Sequence, residues 1–290
     1  MNRKLSKEQE LKLCEEYINN NFSQKELAEK YNFTQSGISK LLIRYNVVRD
    51  DNIKSNKQLN NLIKCNENYF ETIDTPAKSY WLGFISGDGR VDEDDNSLII
   101  GLAIKDKSHL EKFILDLDSE HSIYEKHTTL KKTGKTYEGC VLKVVRPKII
   151  SDLVKHNITQ NKSKELSIPK TIPDEFIKDF VRGIIDSDGC ISVDKDNRIS
   201  ISYLTSIKSF SEEIKEFLIK NCGVSNNKIL NRPGCFEIRW ANIFEVRKIF
   251  EFLYSEGPWL DRKYNLAKNY FDQKENPKIP SELDRILGFI

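Results

Sequence analysis

SYWLGFISGDGRV at residues 79–91 returns as DFVRGIIDSDGCI at residues 179–191, placing Asp88 and Asp188 one hundred positions apart. Each copy is an apolar run closed by Asp-Gly. Gly83 and Gly87 in the first, and Gly183 and Ser187 in the second, are small residues four apart and so lie on one helical face. Such a stripe lets two helix backbones approach closely, with Trp81, Phe84, Ile85, Ile184 and Ile185 filling the core around it. The pairing would bring the two carboxylates together at the bottom of the interface. Gly89 and Gly189 are expected to take left-handed exits from their helices.

The segments downstream of the two copies also match. A strand-like alternation (SLIIGLAI; RISISYL) precedes an amphipathic helix (SHLEKFILDL; FSEEIKEFLI), then a strand pair ending in GCVLKVV or GCFEIRW, then a helix and a basic segment (ITQNKSKEL; PWLDRKYNLA). Two repeats are too few for a solenoid, so the expected fold class is α+β, a pseudo-two-fold pair of αββαββα halves.

Converging carboxylates repel, and they sit at helix C-termini where the dipole already disfavours negative charge. A cation must compensate. Oxygen ligands without nearby His or Cys point to Mg²⁺ or a similar hard divalent ion such as Mn²⁺. Such a centre supports in-line hydrolysis of a phosphodiester, with a nearby lysine to polarise water or steady the transition state. An EF-hand calcium loop is the competing reading of Asp-x-Asp-Gly, but DSDGCISVDKD lacks its third acidic ligand.

WLGFISGDG (81–89) and VRGIIDSDG (181–189) resemble the paired signature of LAGLIDADG homing endonucleases in their single-chain form, across about residues 75–272. The resemblance implies that Asp88 and Asp188 are metal-binding catalytic acids and that the backbone carbonyls of Gly87 and Ser187 support the metal. It implies that Lys263 is the basic residue near the attacking water, with Lys162 its counterpart in the first half, although Arg262 and Lys164 lie close enough to take the same roles. Ser86 departs from the signature, where Asp186 keeps it. The implied fold is a saddle of two four-stranded sheets over the DNA major groove. Strand residues would read bases and the basic 126–170 segment would contact phosphates, with Lys126, Lys131, Lys132, Lys143, Arg232 and Arg239 as DNA contacts.

Residues 5–48 read as three short helices, two opened by the capping boxes Ser6–Gln9 and Ser23–Glu26. QKELAEKYNFTQSGISKLLIRY resembles the helix-turn-helix family, with Asn32 at the tight turn where Gly is usual. The resemblance implies a recognition helix from Thr34 to Tyr45 that turns Gln35, Ser36, Ser39, Lys40 and Arg44 toward DNA.

The expected organisation is therefore a helix-turn-helix domain over 1–48, a linker over 49–72, halves over 73–170 and 171–274, and a tail over 275–290. The whole chain has 290 residues, 46 bases against 44 acids, a net charge of +2, and six widely spaced cysteines. That usage disfavours a zinc knuckle and disulfides. No long apolar run or secretory leader is visible, so a cytoplasmic protein without a membrane is expected. The expected activity is sequence-specific hydrolysis of double-stranded DNA on a long asymmetric site by a monomer. A non-cleaving DNA-binding regulator on the same fold is the alternative, and an intron RNA maturase a weaker one.

Overall fold

The structure is a computed structural model that describes residues 5–19, 22–45, 47, 63–129, 134–160 and 166–275. The chain divides into two compact units, Met1–Leu59 and Asn60–Ile290.

The first unit contains α1 (Lys7–Asn19), α2 (Gln24–Tyr31) and α3 (Gln35–Arg44) around its own core of Leu13, Cys14, Leu27, Ala28, Ile38, Leu41 and Leu42. Both capping boxes form: Ser6 with Gln9, and Ser23 with Glu26. Asn32 closes α2 in the left-handed region at φ 53°, ψ 50°, and the Thr34 hydroxyl accepts the Gly37 N–H to open α3. Local sequence therefore sets both the turn and the start of the third helix.

The second unit repeats one order of elements. In its first half α4 (Pro76–Asp88), β1 (Gly89–Asp92), β2 (Ser97–Ala103), α5 (Lys107–Asp116), β3 (Ile123–Thr129), β4 (Thr136–Val145) and α6 (Pro147–Lys155) succeed one another. The second half gives α7 (Ile177–Ser187), β5 (Gly189–Val193), β6 (Ile199–Thr205), α8 (Lys208–Cys222), β7 (Leu230–Arg232), β8 (Cys235–Trp240) and α9 (Ile243–Leu253), after which α10 spans Asp261–Glu275. The fold is α+β, with two four-stranded antiparallel sheets in the orders β1-β2-β4-β3 and β5-β6-β8-β7. Strand alternation decides which face meets the helices: Leu98, Ile100, Cys140, Leu142 and Val144 in one sheet, and Ile199, Ile201, Tyr203, Ile238 and Trp240 in the other, are buried in a single shared core.

α4 and α7 join the halves. A β-carbon on Gly83 would lie 2.1 Å from the Phe180 carbonyl oxygen, and one on Gly183 would lie 2.2 Å from that of Tyr80. Only glycine permits so close an approach. Gly89 is not left-handed, contrary to expectation. It lies at φ −78°, ψ 143°, and Gly189 has no positive φ either. Each helix passes straight into a strand, and glycine is needed because a β-carbon would sit 2.7 Å from the Ile85 oxygen or 2.6 Å from that of Ile185.

The expected linker over 49–72 is corrected at its described end. Phe70 is fully buried and Tyr69 nearly so, the His156 Nε2 lies 2.7 Å from the Phe70 carbonyl oxygen, and Asn66 N–H donates to the Leu117 carbonyl. Arg146, expected to meet phosphate, is instead buried, donates to the Ile63 carbonyl and pairs with Glu67 at 2.9 Å. The earlier part of the linker, and residues 276–290 of the tail, lie outside the described residues.

Replacing Gly183 by Ala forces a methyl group into a backbone. The expected loss is about 2 kcal/mol or more of unfolding free energy in urea titration, despite alanine's better helix propensity.

Candidate active site

The close approach of α4 and α7 continues to their last turns. A β-carbon on Gly87 would lie 2.0 Å from the Ser187 Oγ and 3.0 Å from the Asp188 Oδ2. The Asp188 carboxylate is thus held against the backbone that carries Asp88. Asp188 is exposed and Asp88 half-buried. Together with Ser86, Gly87, Tyr203, Thr205 and Cys235, Asp188 lines a cavity of about 270 Å³. The structure therefore brings Gly87, Ser187 and Asp188 together with the backbone of Asp88.

These donors are oxygen atoms. Among the described residues no group of three or more His, Cys, Asp or Glu side chains could hold a metal. Two carboxylates with adjacent main-chain carbonyls, beside a cavity and a position that excludes a β-carbon, fit a small hard cation that retains several waters. They do not fit zinc.

Lys263 packs against the turn that carries Asp188. It is only 4% exposed, and its Nζ donates to three carbonyl oxygens, those of Ile185 at 2.8 Å, Asp186 at 2.7 Å and Gly189 at 2.6 Å. An ammonium has three protons, and all are committed to the end of α7. Lys263 therefore closes the turn that carries Asp188 and has no proton left to offer water. Burial lowers its pKa, against the raising influence of Asp186 and Asp88. Arg262, the alternative, donates from Nε to Asp106 at 2.9 Å and ties the second half to the first. Lys162 and Lys164 lie outside the described residues.

Beneath this turn is a polar network that the sequence reading does not anticipate. Asp186 is fully buried and accepts from the Tyr254 hydroxyl at 2.6 Å, the Tyr80 hydroxyl at 2.9 Å and the Leu260 N–H at 2.8 Å. Burial raises its pKa against these hydrogen bonds. The Tyr80 oxygen also lies 2.9 Å from His109 Nε2, so the network spans both halves. Burial, aided by Lys112, lowers the His109 pKa to about 3. Asp179 and Arg182, an i,i+3 pair at 2.7 Å, are buried in the same helix as Asp186. Three charges at i, i+3 and i+7, Asp179, Arg182 and Asp186, buried among apolar residues of one helix are the signal that the sequence carries.

The expected DNA contacts divide by position. Lys126 and Lys143 are exposed on the helix-distant face of the first sheet, as their partners Gly139 and Ile99 require. Arg232 and Arg239 are exposed in the second sheet, with Arg232 bonded to Glu237 at 2.7 Å and Arg239 to the Ser200 hydroxyl at 3.0 Å. Lys131 and Lys132 lie outside the described residues. In the first unit Gln35, Ser36 and Lys40 are exposed on α3 and Ser39 is half-buried, while Arg44 is paired with Glu10 at 2.5 Å.

The LAGLIDADG-like domain family matches residues 175–245. Among solved structures the chain is similar to the homing endonuclease I-WcaI bound to its DNA recognition sequence, at 16% identity and a TM-score of 0.49 over 68% of this chain and 91% of that one. It is similar to the I-SmaMI LAGLIDADG homing endonuclease bound to cleaved DNA, at 13% identity and a TM-score of 0.46 over 75% and 96%. It is also similar to full-length DUF199/WhiA from Thermatoga maritima, at 16% identity and a TM-score of 0.45 over 77% and 70%. No curated protein matches the sequence. No helix among the described residues is long and apolar enough to cross a membrane.

Replacing Lys263 with Met leaves three carbonyls at the end of α7 without their donor, and should cost about 3 kcal/mol in urea titration. A second expectation concerns acid. Folded His109 holds its proton only near pH 3, whereas the unfolded chain takes one up near 6.5. Stability should therefore fall as pH drops from 6.5 toward 3, and His109→Gln should flatten that dependence by up to one bound proton, read from denaturation midpoints across the window.

Proposed function

We propose that the protein is a metal-dependent endonuclease acting on double-stranded DNA at a long, sequence-specific, asymmetric site, as a monomer that carries both halves of its active site in one chain. The observation that carries this reading is the Asp188 carboxylate lying 3.0 Å from where Gly87 would place a β-carbon. Two acids converging at the ends of two helices are unfavourable without a cation and useful with one.

In this reading Asp88 and Asp188 bind Mg²⁺ or Mn²⁺, supported by the carbonyls of Gly87 and Ser187. Such an ion, when bound, lowers the pKa of water and neutralises charge on the scissile phosphate. The chain's own residues supply the positioning. Gly83, Gly87 and Gly183 set the distance between the two acids, and Lys263 fixes the turn of Asp188. The exposed strand positions Lys126, Lys143, Arg232 and Arg239 meet the duplex. The face of α3 bearing Gln35, Ser36, Ser39 and Lys40 adds a second contact, and α3 has no acidic residue to repel a phosphate.

A DNA-binding regulator that does not cut would use the same surfaces, but gains nothing from two carboxylates turned toward phosphate. The test is incubation of the full chain with a randomised duplex library in Mg²⁺ or EDTA, followed by sequencing of the ends. Recurrent metal-dependent breaks at one long site are expected. A specifically bound sequence without ends would favour the regulator. Asp88→Asn and Asp188→Asn should each retain DNA affinity within about threefold and lose double-strand cleavage by at least about a hundredfold. Undiminished cutting by either variant overturns the assignment.

A further inference from the structure

The two sheets share a topology but differ in the reach of their outer hairpins. Gly89, Ile100 and Leu142 pair in one row across β1, β2 and β4, and Gly189, Tyr203 and Ile238 form the matching row across β5, β6 and β8. From that row β4 runs six residues to its last pair, Thr129 with Thr136, whereas β8 runs three, to Arg232 with Cys235. At about 3.3 Å per residue the first hairpin projects roughly 10 Å further.

The long hairpin has two different faces, and of its tyrosine side chains Tyr137 lies within the added length. Tyr124 is opposite Val141, Lys126 opposite Gly139 and Tyr137 opposite Thr128, so all three share the face turned away from the helices. Tyr124 and Tyr137 are 64% and 54% exposed, and packing within the described fold does not account for either ring. The acids Glu125 and Glu138 project from the other face. In the short hairpin the comparable face carries Leu230, Arg232 and Glu237, and the Arg232 charge is offset by Glu237. The long hairpin thus presents aromatic rings and a base where the short one presents a neutralised pair.

We propose that the β3–β4 hairpin is the longer of two DNA-reading arms, making the first half depend on about three more base pairs of duplex than the second, at a rise of about 3.4 Å per base pair. Tyr137 contacts the outermost of them. This rests on the reading of the protein as a binder of duplex DNA, and goes beyond it by assigning which half reaches further, by how much and through which side chain.

The test measures affinity of the full chain, in EDTA and at fixed salt, for a selected duplex shortened one base pair at a time from each end. Tyr137→Ala should lose about tenfold on the full duplex. It should also become insensitive to removal of about three base pairs at one end while keeping its dependence on the other. A second variant, with residues 127–138 replaced by Pro-Gly as in the turn at Pro233 and Gly234, should reproduce that one-sided shortening. Specific binding in which both variants leave the dependence on either end unchanged, or weaken both ends alike, overturns the assignment of the arm alone. Absence of any sequence-specific duplex binding overturns the functional reading with it.

Discussion

The contact between α4 and α7 is the constraint on which the second unit depends. A β-carbon at Gly83 or Gly183 would land 2.1 or 2.2 Å from the opposing carbonyl oxygen, so the two helices meet through backbone, and neither half keeps a separate core. Because each helix passes into the first strand of its own sheet within one residue, the crossing also sets where both sheets begin. The acid that ends each apolar run is then carried to the same end of the contact. Proximity of the carboxylates is thus a result of packing in a core of 45 buried residues among those described, a source of energy large enough to impose an unfavourable charge arrangement locally.

That arrangement still needs local support, and on the side of Asp188 it is visible. Burying the Lys263 ammonium costs several kcal/mol in isolation. Three charge-assisted hydrogen bonds at about 1.5–3 kcal/mol each, together with the negative end of the α7 dipole and the buried Asp186, offset that cost. The same lysine would be a poor water activator, because activating water requires a proton or a hydrogen-bonding direction that the three carbonyls already use. Its geometry is that of a positioning residue. Asp186 works in the same sense: fully buried, it holds Tyr80 of one half and Tyr254 of the other.

Much of this is legible in the sequence alone. The small-residue stripe, the repeated order of elements, the capping boxes and the left-handed Asn32 are local or periodic properties, and such properties are written directly into sequence. The linker is harder to read because Asn and Lys dominate its composition, while Tyr69 and Phe70 carry no period and become core only through residues far along the chain such as Phe113 and His156. Arg146 misleads for a related reason, and the carbonyl contacts of Lys263 are hidden by it. A basic side chain looks the same in sequence whether it meets a phosphate or a buried carbonyl, and only long-range packing decides which. The charges of the Asp186 helix flag a polar site there, but the partners are not legible because they lie 68, 74 and 106 positions away.

One of the positions at which the two motifs differ, Ser86 against Asp186, shows how the halves diverge without losing the shared geometry. Ser86 returns its hydroxyl to the Leu82 carbonyl at 2.8 Å, a local bond that asks nothing of the rest of the fold. Asp186 at the equivalent place engages three distant groups and is balanced by Lys263. A serine there would leave two tyrosine hydroxyls and the Leu260 N–H to find other partners in a buried site, at about 1–3 kcal/mol for each group left unsatisfied. An aspartate in place of Ser86 would bring a new buried charge. Each half therefore fixes its own residue at this point, while the glycines and terminal acids, which must satisfy both halves at once, are bound by the contact between them.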